Sequence, residues 1–279
     1  MQPASRVPGL EHVDGLHAGL LDLARSSGQA ILVIYDAARS QGPAAMSTRL
    51  EDKSDGSPLT QADLAAHQII CQGLATLTPH IPVVSEEDKP GQPQALSGMF
   101  WLIDPLDGTK EFLAFNGEFT VNIALIQNGA PRFGVVYAPA LDTLYWGGRD
   151  AGAFSQDPGG TRALQVAAAR GTREPVRVLA SKSHLNDATR AFIARFAHTE
   201  VVQAGSSLKF CRIAEAAADV YPRLGPTCEW DTAAAQAVLE GAGGYVFDTE
   251  GQPLRYGKAE VLNPSFIAAA QPFSALPPA

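Results

Sequence analysis

The chain is organised around the stretch FWLIDPLDGTKEF, residues 100–112, in which an apolar run ends at two acids, a proline and a glycine. The apolar run, residues 100–103, predicts a buried strand. Pro105 opposes a simple continuation of this strand, and Gly108 relieves a tight turn before a segment that predicts a short helix. The acids of this stretch therefore lie where a strand ends and a turn begins.

The two acids, Asp104 and Asp107, are close enough in sequence to share a cation. With the carbonyl of Leu106 they offer oxygen ligands of the kind that Mg²⁺ takes. Without a cation they would repel each other by about 4 kcal/mol at a separation of about 4 Å and an effective dielectric of about 20. The alternative is an acidic turn at the surface, because Asp, Pro and Gly are ordinary turn residues.

Other phosphate and metal motifs do not fit this stretch. In haloacid-type phosphatases one residue separates the two aspartates, whereas two residues separate Asp104 and Asp107. The chain contains no Gly-x-x-x-x-Gly-Lys-Ser/Thr phosphate-binding loop. An EF-hand loop would need a bidentate acid at the position that Phe115 occupies.

Composition limits the function more than the fold. The 279 residues, 46% hydrophobic and 18% charged, predict one large globular domain or two modest ones. A net charge of −8 and a pI near 5.2 argue against general binding to nucleic-acid polymers or anionic membranes. The three cysteines lack metal-ligand spacing and suggest buried thiols in a reducing compartment. No leader and no apolar run of about 20 residues is evident, so we expect a cytoplasmic protein without a transmembrane segment.

The first half of the chain predicts two helices and then an antiparallel sheet. Apolar residues recur at helical spacing over residues 13–38, and again after Thr60. Residues 46–57 are polar and predict a loop, which contains Lys53. Strands joined by tight turns are predicted at 119–127, 131–137 and 143–146.

The second half alternates between strands and helices, as α/β proteins do. Residues 155–175 lose the apolar pattern and gain Pro, Gly, Arg and Thr, which predicts a boundary or an exposed connection. We therefore expect an N-terminal α+β half, residues 1–165, with the antiparallel sheet, and a C-terminal α/β half, residues 166–279. Strands of the second half are predicted at 176–180, 199–202, 220–224 and 245–247, and helices at 187–196, 208–217 and 231–239.

Several polar residues beside these elements are candidates for a site, each with an ordinary structural alternative. Asp63 lies in the first turn of a predicted helix and could complete its cap, and Asp231 could cap the helix that follows it. Glu86 belongs to a run of acids after a short apolar strand, and such runs usually form a solvated surface. His184 and Lys209 each follow a strand-to-loop transition, where ligands often bind.

Four motifs, in chain order, resemble the inositol monophosphatase superfamily of Mg²⁺-dependent, lithium-sensitive phosphatases. The motifs are SPLTQAD at 57–63, SEE at 85–87, DPLDGT at 104–109 and WDTAA at 230–234. The resemblance extends from the first helix to the last strand. It implies an α/β (α+β) fold, the layered α/β/α/β/α sandwich of the inositol monophosphatase and fructose-1,6-bisphosphatase type.

The resemblance also implies a metal centre that holds two to three Mg²⁺ ions. A first site would comprise Glu86, Asp104 and the carbonyl of Leu106. A second site would comprise Asp104, Asp107 and Asp231, so that Asp104 bridges the two. A further, weaker metal would lie near Glu86, and the N-terminal half would supply all of these ligands except Asp231.

The same resemblance implies how water and phosphate are held. Asp63 and Thr109 would position and deprotonate the attacking water, which makes Asp63, Glu86 and Thr109 the expected catalytic residues. The backbone amides of Gly108 and Thr109 would bind phosphate oxygens. Lys53 matches a lysine in a mobile loop near the metals.

Four further motifs are similar to those of the CysQ branch of the superfamily, the 3'(2'),5'-bisphosphate nucleotidases. They are GTKEF at 108–112, SH at 183–184, GSSLKF at 205–210 and YPR at 221–223. By this resemblance His184, Gly205 and Lys209, in the C-terminal half, would contact the nucleotide and set the substrate specificity.

The sequence thus predicts a Mg²⁺-dependent phosphomonoesterase that hydrolyses adenosine 3',5'-bisphosphate to AMP and phosphate and recycles this by-product of sulfate assimilation. An inositol monophosphatase or other sugar-phosphate phosphatase with the same metal centre is the alternative, and a non-catalytic metal-binding protein is the third. We expect a small phosphate ester as the partner, no nucleic-acid polymer, and a monomer or homodimer. A peripheral position at the inner membrane and the roles of Lys53 and Arg223 stay open.

Overall fold

The computed structural model describes residues 7, 9–12, 15–41, 50–52, 58–88, 97–169, 171, 174–180 and 186–277. Six α-helices lie within these ranges, and none of them is both long and apolar enough to cross a membrane. They are α1 (Leu16–Gln41), α2 (Gln61–Leu77), α3 (Thr109–Leu113), α4 (Asp187–Ile193), α5 (Leu208–Ala214) and α6 (Ala233–Gly241).

A two-stranded antiparallel ribbon precedes α2. It pairs β1 (Leu50–Asp52) with β2 (Pro58–Thr60), and α2 begins at the next residue. The prediction of a loop over residues 46–57 is therefore wrong at β1, where pairing with β2 organises a polar segment that carries no strand pattern of its own. Lys53 lies outside the described residues.

The larger sheet has seven strands that follow one another in chain order. Only the first pair, β3 with β4, is parallel, and the remaining neighbours are antiparallel. The strands are β3 (Val83–Ser85), β4 (Met99–Asp107), β5 (Thr120–Gln127), β6 (Ala130–Ala138), β7 (Thr143–Gly148), β8 (Gly152–Asp157) and β9 (Gly160–Ala163).

The smaller sheet has five strands in the order β11-β10-β12-β14-β13, in which β10 is parallel to β11 and β12, and β14 is antiparallel to both of its neighbours. Its strands are β10 (Val176–Ala180), β11 (Thr199–Gln203), β12 (Val220–Arg223), β13 (Tyr245–Asp248) and β14 (Phe266–Ala269).

The two sheets and the helices form five layers. Alternate residues of the larger sheet pack on α1 and α2, and the residues between them face α5 and α6. One face of the smaller sheet packs on α5 and α6 in the same core, and its other face packs on Phe192 of α4. This is the α/β/α/β/α order, so the predicted fold class is confirmed.

Small residues bring α6 close to the larger sheet. A Cβ built on Gly134 of β6 would lie 2.1 Å from the carbonyl oxygen of Ala234, so only glycine allows this approach. A Cβ on Gly241 would lie 2.6 Å from the carbonyl oxygen of Gly152. The alanine-rich helix is thereby held on the sheet, with Asp231 two residues before its first turn.

Most predicted elements match observed ones, with the following differences. Strand β4 does not end at residue 103 but continues through Pro105 to Asp107, because the β-bulge between Asp104 and Asp107 accommodates the proline. Strands β8 and β9 carry the larger sheet to Ala163, into the segment that lost its apolar pattern, and β14 was not predicted. The helix predicted from Asp231 begins at Ala233. The three cysteines, all within the described ranges, form no disulfide, and Cys211 is buried while the other two are half-buried. The division into two halves near residue 165 stays a prediction.

Candidate metal centre and active site

A β-bulge in β4 places its two aspartates on one face of the sheet. Side chains alternate along a strand, so residues three apart normally face opposite ways. Here Asp104 pairs with Asn122 and Asp107 pairs with Thr120, so that three steps on β4 oppose two steps on β5. The extra residue shifts the alternation. Leu106 therefore packs in the core beneath α1 and α2, while both aspartates face α5.

Parallel pairing brings Glu86 to the same strand end. Ser85 of β3 lies opposite Ile103 of β4, and the amide of Glu86 donates to the carbonyl of Ile103 at 3.2 Å. Glu86 is half-buried, and the charge of its carboxylate is one of those that raise the pKa of Asp104. Within the run of acids after β3, Glu86 therefore belongs to the site and not to a solvated surface.

Asp231 reaches the site from the turn before α6. One of its carboxylate oxygens accepts the amide hydrogen of Cys228 at 2.8 Å. Because Cys228 precedes the helix, this bond fixes the turn and is not a cap on the first turn of α6. The predicted capping role of Asp231 is therefore replaced by a turn that aims its carboxylate at the other acids.

Each of the three aspartates has one oxygen held by a backbone amide. The amide of Leu106 donates to Asp104 at 3.0 Å, and the amide of Ser207 donates to Asp107 at 2.5 Å. Charge-assisted bonds of this kind are among the stronger ones in proteins. They orient the carboxylates and leave each with a second oxygen for a ligand.

The buried acids of the site raise one another's pKa. Burial raises the pKa of Asp104 well above its usual range, and the negative charges of the neighbouring acids raise it further. Burial raises the pKa of Asp107 to about 6 and that of Asp231 to about 8. Carboxylates in such surroundings require a proton or a cation beside them.

These residues fit a hard divalent cation by their chemistry. The carboxylates of the site and the carbonyl of Leu106 are all oxygen donors, which suit Mg²⁺ better than the nitrogen and sulfur donors that zinc prefers. Among the described residues, no group of three or more His, Cys, Asp or Glu side chains has the geometry of a metal site. The acids are neighbours that a cation would bridge.

A cavity of about 130 Å³ opens beside these acids. Asp107 and Asp231 line it together with the basic side chains Lys209 and Arg223. Lys209 is only 5% exposed, its Nζ donates to the carbonyl of Ser206 at 2.8 Å, and it lies 5.2 Å from the centre of the Tyr221 ring. Burial lowers the pKa of Lys209 to about 8, although the charge of Asp107 opposes this shift.

Comparison with known proteins identifies this arrangement. The model of the inositol monophosphatase family matches residues 18–275. The chain belongs to the inositol monophosphatase family. The match begins within α1 and extends past β14, and so it includes both strands and the turn that carry the acids of the site.

Curated relatives within this family show which of its branches the chain resembles. The chain is 46% identical over 246 residues, 88% of its length and 95% of theirs, to proteins named 3'(2'),5'-bisphosphate nucleotidase CysQ of Escherichia coli O157:H7 and Salmonella typhimurium. A crystal structure of CysQ from Bacteroides thetaiotaomicron is 36% identical with a TM-score of 0.75, and the match covers 91% of this chain and 97% of that one. The resemblance to the superfamily and to its CysQ branch is confirmed.

The expected catalytic residues of the family lie on three elements. Asp63 is a buried carboxyl in the first turn of α2, and it is 1% exposed. Thr109 is the first residue of α3 and is half-buried, and Glu86 follows β3. Their roles toward the attacking water stay predictions.

The expected substrate residues of the family are only partly described. Gly108 has a φ of 92°, in the left-handed region that favours glycine. A Cβ on Gly205 would lie 2.8 Å from the carbonyl oxygen of Glu118, so packing alone requires glycine there. Lys209 faces the cavity, and His184 lies outside the described residues.

Sequence reasoning missed several residues of the site. Phe266 lines the cavity from β14, a strand that was not predicted. Thr120, Asn122 and Ser207 form a buried hydrogen-bonded group next to Asp107. The signal for the first two is two polar residues at alternate positions of an otherwise apolar strand.

Proposed function

We propose that the protein is a Mg²⁺-dependent phosphomonoesterase that converts adenosine 3',5'-bisphosphate to AMP and phosphate. The enzyme class, 3'(2'),5'-bisphosphate nucleotidase, follows from the names of relatives that are 46% identical over most of the chain. The observation that carries the substrate is the cavity in which buried Lys209 stands with Asp107 and Asp231.

The substrate carries two phosphate groups, and the cavity offers two kinds of charge. The acids would hold cations for the phosphate that is cleaved, and Lys209 would bind the phosphate that remains. When bound, Mg²⁺ would supply positive charge to the phosphate oxygens and to the leaving oxygen. The cavity is smaller than the roughly 300–1,000 Å³ of pockets that enclose a whole ligand, so it would hold part of the nucleotide.

The chain's own residues have distinct tasks in this proposal. Asp104, Asp107, Glu86, Asp231 and the carbonyl of Leu106 would hold two to three Mg²⁺ ions. Asp63 would accept the proton of the attacking water, which Thr109 would help to place. The amides of Gly108 and Thr109 would bind oxygens of the phosphate under attack.

Lys209 is suited to bind a second phosphate. With a pKa of about 8 its ammonium group is largely protonated at neutral pH. It has three N–H donors, of which the carbonyl of Ser206 takes one. The face of Tyr221 adds a favourable contact for the cation.

The first test removes the charge of Lys209. In Lys209→Met the side chain keeps its length, and the loss of one charge-assisted bond of about 1.5–3 kcal/mol should lower kcat/KM for adenosine 3',5'-bisphosphate by roughly 10- to 150-fold. Adenosine 3'-monophosphate presents the same phosphate for cleavage without the second group. Its kcat/KM should therefore change little, and phosphate release from both substrates measures the difference.

Controls separate this proposal from its alternatives. Lys110→Met removes a charge from the exposed side of the same cavity and should have a smaller effect. Equal losses on both substrates, or a wild-type preference for inositol 1-phosphate, would favour an inositol or sugar-phosphate phosphatase. Phosphate release that is unchanged in the presence of a chelator would remove the Mg²⁺ requirement.

Two further features are part of the proposal. Lithium at millimolar concentration should inhibit turnover, since the superfamily that the motifs resemble is lithium-sensitive. The product pair, AMP and phosphate, would return a by-product of sulfate assimilation to the nucleotide pool.

A further inference from the structure

A group of buried polar side chains beside Asp107 joins the larger sheet to the segment that precedes α5. It comprises Thr120 and Asn122 of β5 and Ser207, the residue before α5, and we call it the Ser207 clamp. All three residues are at most 1% exposed. The reaction proposed above uses none of them.

The register of the sheet places two members of the clamp against the acids of β4. Thr120 lies opposite Asp107 and Asn122 lies opposite Asp104. They are two residues apart, so both side chains face α5, as do the aspartates. Their neighbours Val121 and Ile123 face the other way, into the core beneath α1 and α2.

Ser207 connects this face with the C-terminal half of the chain. Its amide donates to Asp107 at 2.5 Å, and its hydroxyl donates to Oδ1 of Asn122 at 2.9 Å. The hydroxyl of Thr120 lies 2.8 Å from that of Ser207 and 3.2 Å from that of Ser206.

The hydrogen atoms of this group can be ordered in one direction. In the orientation that the structure gives Asn122, its Oδ1 faces Ser207 and its Nδ2 has no partner among the described residues. Asn122 then takes the one hydrogen of the Ser207 hydroxyl, so Thr120 donates to Ser207. The hydrogen of Thr120 is then used, so Ser206 must donate to Thr120. Each hydroxyl thus donates one hydrogen bond, and together these hydrogen bonds hold Ser207 in place.

A fixed position of Ser207 matters because its amide holds Asp107. An aspartate at the end of a strand can rotate, and its second oxygen is aimed only if the first is held. Removing a group that orients a ligand in this way typically weakens metal binding by roughly 10- to 100-fold. The clamp ties the amide of Ser207 to β5, which is paired directly with the strand that carries Asp107.

We propose that the Ser207 clamp positions Asp107 for a divalent cation. Thr120, Asn122 and Ser207 are positioning residues, and none is assigned a contact with the substrate. The inference rests on the proposed function, since it assumes that Asp107 is a metal ligand.

The test exploits two replacements at one position. Thr120→Val keeps the shape of the side chain and removes the hydroxyl, and Thr120→Ser keeps the hydroxyl and removes a methyl group. Mn²⁺ binding without substrate is measured by titration calorimetry, and stability is measured by urea unfolding in a chelator. The clamp predicts roughly 10- to 100-fold weaker Mn²⁺ binding for Thr120→Val and near wild-type binding for Thr120→Ser.

Ser207→Ala provides a second, independent variant. It removes the hydroxyl and keeps the amide that holds Asp107, and Mn²⁺ binding should weaken by roughly 10- to 100-fold. Ser155→Ala is the matched control, because Ser155 is a fully buried serine of β8 whose hydroxyl has no hydrogen-bond partner among the described residues. Its Mn²⁺ affinity should stay within roughly twofold of the wild type.

The outcomes separate this inference from the proposed function. The clamp is overturned if Thr120→Val binds Mn²⁺ as the wild type does, or if Thr120→Ser binds more weakly than Thr120→Val. If Thr120→Val does not fold, unchanged binding in Ser207→Ala overturns it. Phosphate release from adenosine 3',5'-bisphosphate by the wild type is measured in parallel. If the wild type releases no phosphate from this substrate but the clamp variants still bind Mn²⁺ more weakly than the wild type does, the clamp is supported and the nucleotidase is rejected.

Discussion

The two faces of the larger sheet differ in what they do. The face beneath α1 and α2 is apolar along its whole length and holds most of the large aromatic side chains, among them Trp101, Phe133 and Trp146. The opposite face is apolar only as far as Leu102 and Ala124, and then becomes polar at Asp104 and Asn122. One pair of strands therefore carries both a core and a site.

The difference shows how a strand can serve stability on one face and chemistry on the other. The bulge in β4 allows this division between the two faces, because the bulge returns Asp107 to the face of Asp104 while Leu106 stays in the apolar core. Without the bulge the second acid would point into the layer of α1 and α2, where a buried charge would have no partner. Replacements on the two faces should accordingly have separate consequences.

The largest effect is expected on the polar face, for Asp104→Asn. The replacement keeps the volume of the side chain and removes a ligand charge, so turnover of adenosine 3',5'-bisphosphate should fall by about 10³-fold or more, which corresponds to several kcal/mol of lost charge stabilisation. The free energy of unfolding in a chelator should be unchanged or higher, because burial already raises the pKa of Asp104 and disfavours its charge. Activity assays and urea unfolding measure the two quantities.

Asp187→Asn is the matched control for this replacement. Asp187 is fully exposed in the first turn of α4. The activity and the stability of the Asp187→Asn protein should therefore stay close to those of the wild type. Near-normal activity of Asp104→Asn at saturating Mg²⁺ would contradict the metal centre.

A smaller effect, of the opposite kind, is expected on the apolar face for Phe133→Ala. Phe133 of β6 is fully buried beneath α1, and the loss of a buried phenyl ring should lower the free energy of unfolding by about 3–5 kcal/mol. The protein that remains folded should bind Mn²⁺ as the wild type does. Phe273→Ala removes the same ring from a site that is 41% exposed and should cost less. Weakened Mn²⁺ binding in folded Phe133→Ala would show that the two faces are not independent.

The sequence predicted those parts of the molecule that depend on local pattern. Apolar spacing located α1 and α2, and alternation and turn residues located β5 to β7. The apolar run at 100–103 located β4, although the strand extends past Asp104 and Pro105 to Asp107. The face on which Asp107 lies could not be predicted, because it depends on a bulge that is visible only in the pairing of β4 with β5.

The parts that escaped prediction depend on contacts distant in sequence. Strand β9 is exposed along its whole length and carries no alternation, and β14 is a strand because β12 and β13 flank it. The hydrogen bond between Asn122 and Ser207 joins residues 85 positions apart. No local pattern indicates that these two polar residues meet.

The smallest effect is expected for His17, which lies on the apolar face. Among the described residues, its Nε2 is the one buried histidine nitrogen without a hydrogen-bond partner. His17 of α1 packs edge-on against Phe133 and Trp146, with ring centres 6.1 and 6.0 Å away, and its Nε2 has no hydrogen-bond partner in the part of the chain that the structure describes. Burial lowers the pKa of His17 below its usual range. The folded state therefore resists protonation of this ring more than the unfolded state does.

The sign of the pH effect follows from this difference. Below the unfolded-state pKa of about 6.5 the unfolded chain binds more protons at His17 than the folded chain, so the histidine lowers stability as the pH falls through that value. The effect is well under about 1.4 kcal/mol per pH unit, because the side chain is only half-buried and water still screens it. Urea unfolding in a chelator at pH 7.5 and 5.5 measures it, and the drop in the free energy of unfolding should be smaller in His17→Leu than in the wild type. The acids of the site titrate in both proteins and cancel in the difference, since they lie on the other face of the sheet. An equal drop in His17→Leu and in the wild type would mean that the ring is solvated, so that the apolar face is less dry than its packing indicates.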